Sequence, residues 1–180
     1  MDEKLKILEN LAKELNVTHL ANFVLKDSRF TEWSGSSKKN LHHYGTGGLI
    51  THTCEVVQLC LQNNEYFKGT EKYVDPAKVY LAALFHDAGK MWDYERSNSG
   101  FGDWESNDHK YKIHHISRSA LVWNEAAGDL EWKDEVLHAI LAHHGQREWG
   151  SPVKPQTHLA WLLHLCDGIS ARMDDLGGAH

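Results

Sequence analysis

Apolar residues recur along this chain at intervals of three and four positions, the period of a helix that buries one face. Leu5, Leu8, Leu11, Ala12 and Leu15 place an amphipathic helix over residues 3–15. A stretch rich in Ser, Gly and Lys from Asp27 to Asn40 continues into HHYGTGG and reads as a loop that delivers the chain to the next helix. LITHTCEVVQLCLQNNEYF, residues 49–67, has the helical period again and ends in a polar turn through Gly69. Asp75 followed by Pro76 is a helix start, an N-cap and then a residue whose missing N–H is not needed at the first helical position. AKVYLAALFHDAGK runs from there to a stop at Gly89. The period is then lost: residues 92–112, WDYERSNSGFGDWESNDHKYK, predict a small hairpin or an irregular lid. Three more helices follow in HHISRSALVWNEAAG, DEVLHAILAHHG and THLAWLLHLCDGISARMDD, the last two separated by the loop QREWGSPVKPQ. Six or seven helices with little strand predict an all-α bundle whose site residues point inward. A chain of 180 residues can bury one sizeable core, so a single domain over 1–180 is expected.

Composition removes several classes. No run approaches the roughly 18 apolar residues a membrane helix needs, and the charged start MDEKLK lacks the apolar stretch of a secretory signal. A cytoplasmic protein with no membrane partner is expected. Cys54, Cys60 and Cys166 are far apart with no CxxC pair, which argues for buried free thiols and against a disulfide framework or zinc knuckle. The formal charge of −6 speaks against a general nucleic-acid-coating surface, so any attraction for phosphate must be local.

Histidine is the outlier. There are 14, with pairs at His42-His43, His114-His115 and His143-His144, dispersed along the whole chain. Imidazole is the commonest side-chain metal ligand, and dispersed His and Asp residues can converge in a folded bundle. His86-Asp87 sits at a predicted helix end, where adjacent side chains can splay to either side of one ion. Alone the pair means little. His52, His86-Asp87, His115, His143 and Asp167, however, fall on separate predicted helices, at their ends or on faces otherwise filled by Leu, Ile, Val and Ala. Asp167, inside WLLHLCDGIS, would cost several kcal/mol if buried without a counter-charge, which a divalent metal or a satisfied core hydrogen bond could offset.

Taken in order, GGLITHT, LAALFHDAGK, HHIS, ILAHHG and LLHLCD present H, HD, H, HH and D. This order resembles the HD-domain phosphohydrolase superfamily over nearly the whole chain. HHYGTGGLITHT, HDAGK and AHHGQREWGSPVKPQT followed by LH..D resemble more narrowly the HD domain of YhaM-type 3'-to-5' exoribonucleases. His114 and Ser119 stand where that family has glycines, residues 92–112 are longer, and no segment here corresponds to the family's OB-fold, which binds single-stranded RNA.

The resemblance implies a single HD-domain helical bundle holding one or two divalent transition ions (Mn, Fe, Co, Ni or Zn). His52, His86, Asp87 and Asp167 would hold one ion, and His115 and His143 would complete a second site sharing Asp87. His144 is the alternative to His143, since at about 100° per residue both cannot face inward equally. Asp87, His115 and Lys90 are the implied catalytic residues, Lys90 near the attacked phosphate; its own sequence position equally fits a lysine at a helix C-terminus. His42, His43, Lys90, Arg118, His144, Arg147 and Lys154 are candidates for gripping substrate phosphates. Trp92, Trp104 and Trp149 lie beside the motifs in expected loops and suit base stacking, while Trp123, Trp132 and Trp161 suit helix packing. The expected function is hydrolysis of nucleotides, such as deoxynucleoside triphosphates, by metal-activated water. The alternatives are a 3'-to-5' exonuclease on single-stranded RNA or DNA, a di-iron oxygenase, and a metal-binding regulatory module. The expected partner is a nucleotide or nucleic-acid end, with self-association into a homo-oligomer a further expectation.

Overall fold

A computed structural model describes residues 2–36, 38, 43–98 and 103–175, with side chains to Met173. The chain folds as helices α1 (Glu3–Glu14), α2 (Thr18–Leu25), α3 (Ser28–Glu32), α4 (Gly48–Tyr66), α5 (Pro76–Phe85) and α6 (Lys90–Asp93). A hairpin of β1 (Tyr94–Arg96) and β2 (Trp104–Ser106) follows, then α7 (Asp108–Lys112), α8 (His115–Ala127), α9 (Lys133–Ala142) and α10 (His158–Asp175). No described helix is long and apolar enough to cross a membrane.

Helix α5 is the hub. Asp75 caps it by accepting from the Ala77 N–H at 2.8 Å, and Pro76 opens it. Every residue from Val79 to Phe85 is buried, so it has no polar face and must be enclosed. Helices α2, α4, α8, α9 and α10 supply the enclosure. Trp123 of α8 is buried edge-on against Phe85, 5.2 Å between ring centroids, and its indole N–H donates to the Lys133 carbonyl. Tyr80 donates to the Leu8 carbonyl at 2.8 Å, tying α5 to α1. His86 and Asp87 follow α5 directly, so the hub's C-terminal end delivers them to the centre of the bundle.

Four α-helices fall where none was expected, two of them before α4. Thr18–Leu25 buries Leu20, Ala21, Val24 and Leu25, and Ser28–Glu32, inside the expected loop, is capped by Asp27, which accepts from the Arg29 N–H at 3.0 Å. Both are too short to show a clear period; burial against neighbours decides them. The segment 92–112 does contain a hairpin, Tyr94 facing Ser106 and Arg96 facing Trp104, but α6 and α7 flank it. It is fastened down: Trp33 Nε1 donates to the Tyr94 carbonyl at 2.9 Å, the Trp104 N–H donates to Tyr44 Oη at 3.0 Å, and Trp33 packs on Trp104.

Gly48 and Gly89 mark the two closest backbone approaches. A Cβ on Gly48 would lie 1.8 Å from the His43 carbonyl oxygen, and one on Gly89 2.1 Å from that of His115. Gly89 does not stop the helix as expected, since α5 already ends at Phe85 and Gly89 precedes α6 with an ordinary helical φ of −62°; what it supplies is the lack of a Cβ. It lets the start of α8, and with it His115, pass against the HD pair.

Candidate metal centre

Five side chains from five parts of the chain converge around Asp87. From α4 comes His52, whose Nε2 lies 3.0 Å from Asp167 Oδ1 and 3.4 Å from Asp87 Oδ2. His86 Nε2 lies 3.5 Å from the same Asp87 oxygen and 3.7 Å from Asp167 Oδ1. The other oxygen of Asp87 faces away from these, toward His115 Nε2 at 3.5 Å and His143 Nε2 at 3.7 Å. Asp87 thus divides the cluster into two halves. Donor atoms of His52, His86 and Asp87 all lie within 4.8 Å of one another, as do those of His115, His143 and His144. The structure brings His143 and His144 to the same half, His143 fully buried and His144 partly so.

The outward nitrogens explain why the inward ones are aimed as they are. Nδ1–H of His86 donates to the Ala83 carbonyl at 2.7 Å and that of His143 to the Ile140 carbonyl at 2.7 Å, each reaching back one turn of its own helix. His52 Nδ1 meets Ser170 Oγ at 3.0 Å, and that hydroxyl donates to Glu55 Oε2 at 2.8 Å. His115 Nδ1 meets Asp93 Oδ2 at 3.3 Å. With Nδ1 committed in all four rings, Nε2 is the nitrogen left for an ion.

Three buried atoms in the middle, Asp87 Oδ1, His115 Nε2 and His143 Nε2, have no hydrogen-bond partner. Leaving a buried polar atom unsatisfied costs about 1–3 kcal/mol. Three such atoms facing one another is the arrangement that a cation bound between them would satisfy, so the donor set fits a divalent transition metal.

The charges agree. Burial opposes ionisation of Asp87 and Asp167, but Lys90, His86 and His52 around the first, and His52 and His86 around the second, hold both well below the usual carboxylate range. Burial also disfavours charge on His52, yet Asp167 and Asp87 outweigh it and push the ring up to about 9. On the other side burial prevails, bringing His115 down to about 4 and His143 well below its ordinary value. The two halves therefore differ: one holds its proton tightly, the other presents neutral rings.

Lys90 opens α6, is buried, and places Nζ 2.6 Å from Asp87 Oδ2. It lines a cavity of about 360 Å3 with Asp87, His143, His144, Trp149 and Arg172. His164 and Arg172 also line it, and neither stood out in the sequence. A motif-based reading looks for ligands, whereas these two border the cavity beside Asp167. The helical period finds His164, three residues before Asp167 on the same face, whereas Arg172, five residues on, is placed at the cavity only by the fold. His164 donates through Nδ1 to the His143 carbonyl at 2.7 Å.

The remaining candidates lie elsewhere. His43 is buried with Nε2 3.0 Å from Glu55, behind His52 and away from the cavity. Arg118 donates to His109 Nε2 at 3.1 Å and lies over the Trp92 ring. Arg147 and Lys154 line a separate hollow with His138 and Glu148. His42 lies outside the described residues. Of the tryptophans, Trp104 is buried in β2 and Trp92 belongs to α6, under Arg29 and Arg118, so neither offers a free face in a loop. Trp149 is 55% exposed at the cavity rim, and Trp161 is 51% exposed on α10 rather than packed inside.

Comparison with known proteins gives the same family. The chain is 28% identical over 168 residues to the 3'-5' exoribonuclease YhaM of Bacillus subtilis, covering 90% of this chain and 50% of that protein. It is 32% identical over 165 residues to the YhaM of Shouchella clausii, covering 88% and 49%. The chain thus spans about half the length of the curated relatives it matches. No solved structure gives a significant match. Residues 49–172, from the first turn of α4 to the end of the cavity wall in α10, match the HD domain, and the chain belongs to the HD domain family of metal-dependent phosphohydrolases.

Proposed function

We propose that this chain hydrolyses phosphoester or phosphoanhydride bonds of nucleotides at a two-ion centre held by His52, His86, Asp87 and Asp167 on one side and His115, His143 and Asp87 on the other. The observation that carries this reading is the meeting of three buried, unpartnered atoms across Asp87 Oδ1, with a cationic lysine on the other carboxylate oxygen. Divalent ions bound there supply a Lewis acid and a hydroxide-like water at neutral pH, so no protein nucleophile is needed. Lys90 stays protonated beside Asp87, because the attraction of that carboxylate outweighs its burial, and offsets negative charge developing on phosphorus oxygens. Arg172 is suited to holding a phosphate at the cavity wall, and His144 borders the same space. Trp149 offers an exposed indole face for a base.

Cleavage at the 3' end of a single-stranded RNA or DNA is the second reading, favoured by the exoribonucleases among the relatives and by Trp149 lying at an open rim. Both readings are tested by incubating the manganese-, cobalt- or zinc-loaded protein with nucleotides, cyclic dinucleotides and short oligonucleotides, against an Asp87→Ala control. Turnover of mononucleotides alone supports the first reading, and stepwise shortening of oligonucleotides supports the second. Wild type indistinguishable from the control on every substrate, with metal bound, would move the oxygenase and regulatory-module readings ahead.

A further inference from the structure

Asp93 has no exposed surface, and it is not itself one of the side chains that face Asp87. A buried carboxylate must be met by donors, and the donors here reach it from two sides. Asp93 Oδ2 accepts the His115 backbone N–H at 3.1 Å and faces His115 Nδ1 at 3.3 Å. Its other oxygen lies 2.7 Å from His109 Nδ1. His109 Nε2 lies 3.1 Å from Arg118 Nε. A guanidinium can only donate, so His109 Nε2 accepts and its proton sits on Nδ1, where it is donated to Asp93. Asp93, as a carboxylate, can only accept, so His115 carries its proton on Nδ1. Both arms thus end on Asp93, and the Nδ1 tautomer leaves His115 Nε2 unprotonated, buried and 3.5 Å from Asp87 Oδ1.

The outer end is anchored as well. Arg118 lies 5.2 Å and Arg29 4.2 Å from the centroid of the Trp92 ring, so the guanidinium behind His109 is held by the residue preceding Asp93. The Asn107 N–H donates to the Asp93 carbonyl at 3.1 Å, joining the end of the hairpin to the same point.

We propose that Asp93, His109 and Arg118 are positioning residues that orient His115 as an Nε2 ligand and thereby set how tightly the second ion is held. The proposal rests on the two-ion reading above. It also accounts for the hairpin and α7, which carry His109 to the back of a ligand from the opposite end of the segment. Groups of this kind, behind a metal-ligating histidine, change metal affinity by about 10- to 100-fold when lost.

The experiment is a titration of the metal-stripped full chain with Zn2+ or Mn2+ in competition with a chromophoric chelator, for wild type, Asp93→Asn, His109→Ala and His109→Asn. Helicity and thermal midpoint are measured on each. Wild type should bind two ions per chain. Asp93→Asn and His109→Ala should weaken one of them about 10- to 100-fold and leave the other at wild-type affinity. His109→Asn, whose amide can donate where Nδ1–H did, should recover most of the loss. A folded variant set in which both ions weaken alike, or neither does, overturns the positioning role while leaving the two-ion centre standing. A wild type that binds fewer than two ions overturns the two-ion reading and the proposal with it. If Asp93→Asn fails to fold, the contrast between His109→Ala and His109→Asn decides.

Discussion

Trp149 and Asp87 illustrate two ways in which a single residue can matter here. Asp87 is buried and split between two sets of nitrogens, so its loss removes a carboxylate from both halves at once. Trp149 is mostly solvent-exposed and holds nothing in place except through its backbone carbonyl, which accepts from His144 Nδ1. Trp149→Ala should therefore leave folding and metal content unchanged. It should raise KM for a base-containing substrate by about tenfold, within the range base stacking contributes, with kcat little altered. Steady-state kinetics on a nucleotide and on inorganic pyrophosphate check this. An equal loss on both would mean that the indole shapes the cavity and does not meet a base.

At the scale of elements, the junction between α6 and α8 is tightly constrained, and two substitutions there should act in opposite directions. His114, just before α8, has φ of +71°, a backbone conformation glycine adopts at no steric cost. His114→Gly should raise stability by about 1 kcal/mol by releasing that strain, read as a higher midpoint in urea; an unchanged or lower midpoint would mean that the tilted contact of His114 with His115, 4.2 Å between ring centroids, outweighs it. Gly89→Ala should do the reverse. Its Cβ would collide with the His115 backbone, so a loss of more than about 2 kcal/mol is expected, together with weakened metal retention. Ser119 adds a partner rather than a clash: its hydroxyl accepts the Gly89 N–H at 2.8 Å. This chain thus has a strained backbone at 114 and an added hydrogen bond at 119.

The whole molecule should respond to pH through its histidines. In EDTA, His115 titrates near 4 in the folded chain instead of its ordinary 6.5. The unfolded chain therefore binds the proton first as pH falls, and stability is lost between those values. That difference alone corresponds to about 3 kcal/mol, and the lowered His143 and His144 act in the same sense. His52, raised to about 9, has the opposite sign: its contribution is full below 6.5 and is lost as pH rises through 9. The metal-free chain should be most stable near pH 6.5, with urea midpoints falling at pH 4.5 and at pH 9. A flat profile from 4.5 to 6.5 would contradict the burial of neutral rings. Near pH 7, ion binding should also release a proton from His52, visible as a buffer-dependent enthalpy in calorimetry.

The long helices are legible in the sequence alone, because amphipathic periods over a dozen or more residues leave few alternatives, and His52, His86, Asp87, His115, His143 and Asp167 are marked there as residues of one chemistry. Their spacing could not say that Asp87 turns one oxygen to each half, since that depends on how α4, α8, α9 and α10 pack around α5. Short helices such as Thr18–Leu25 were not legible, because burial and not period stabilises them. Nor were Asp93, His109 and His164, whose partners lie 9 to 22 residues away in the chain. Arg118 shows the limit most plainly: a cation near a motif in sequence is drawn to whichever acceptor or ring the folded chain sets beside it. Residue type and period are local properties that a sequence carries in full, whereas the direction in which a side chain points is settled by packing between segments far apart.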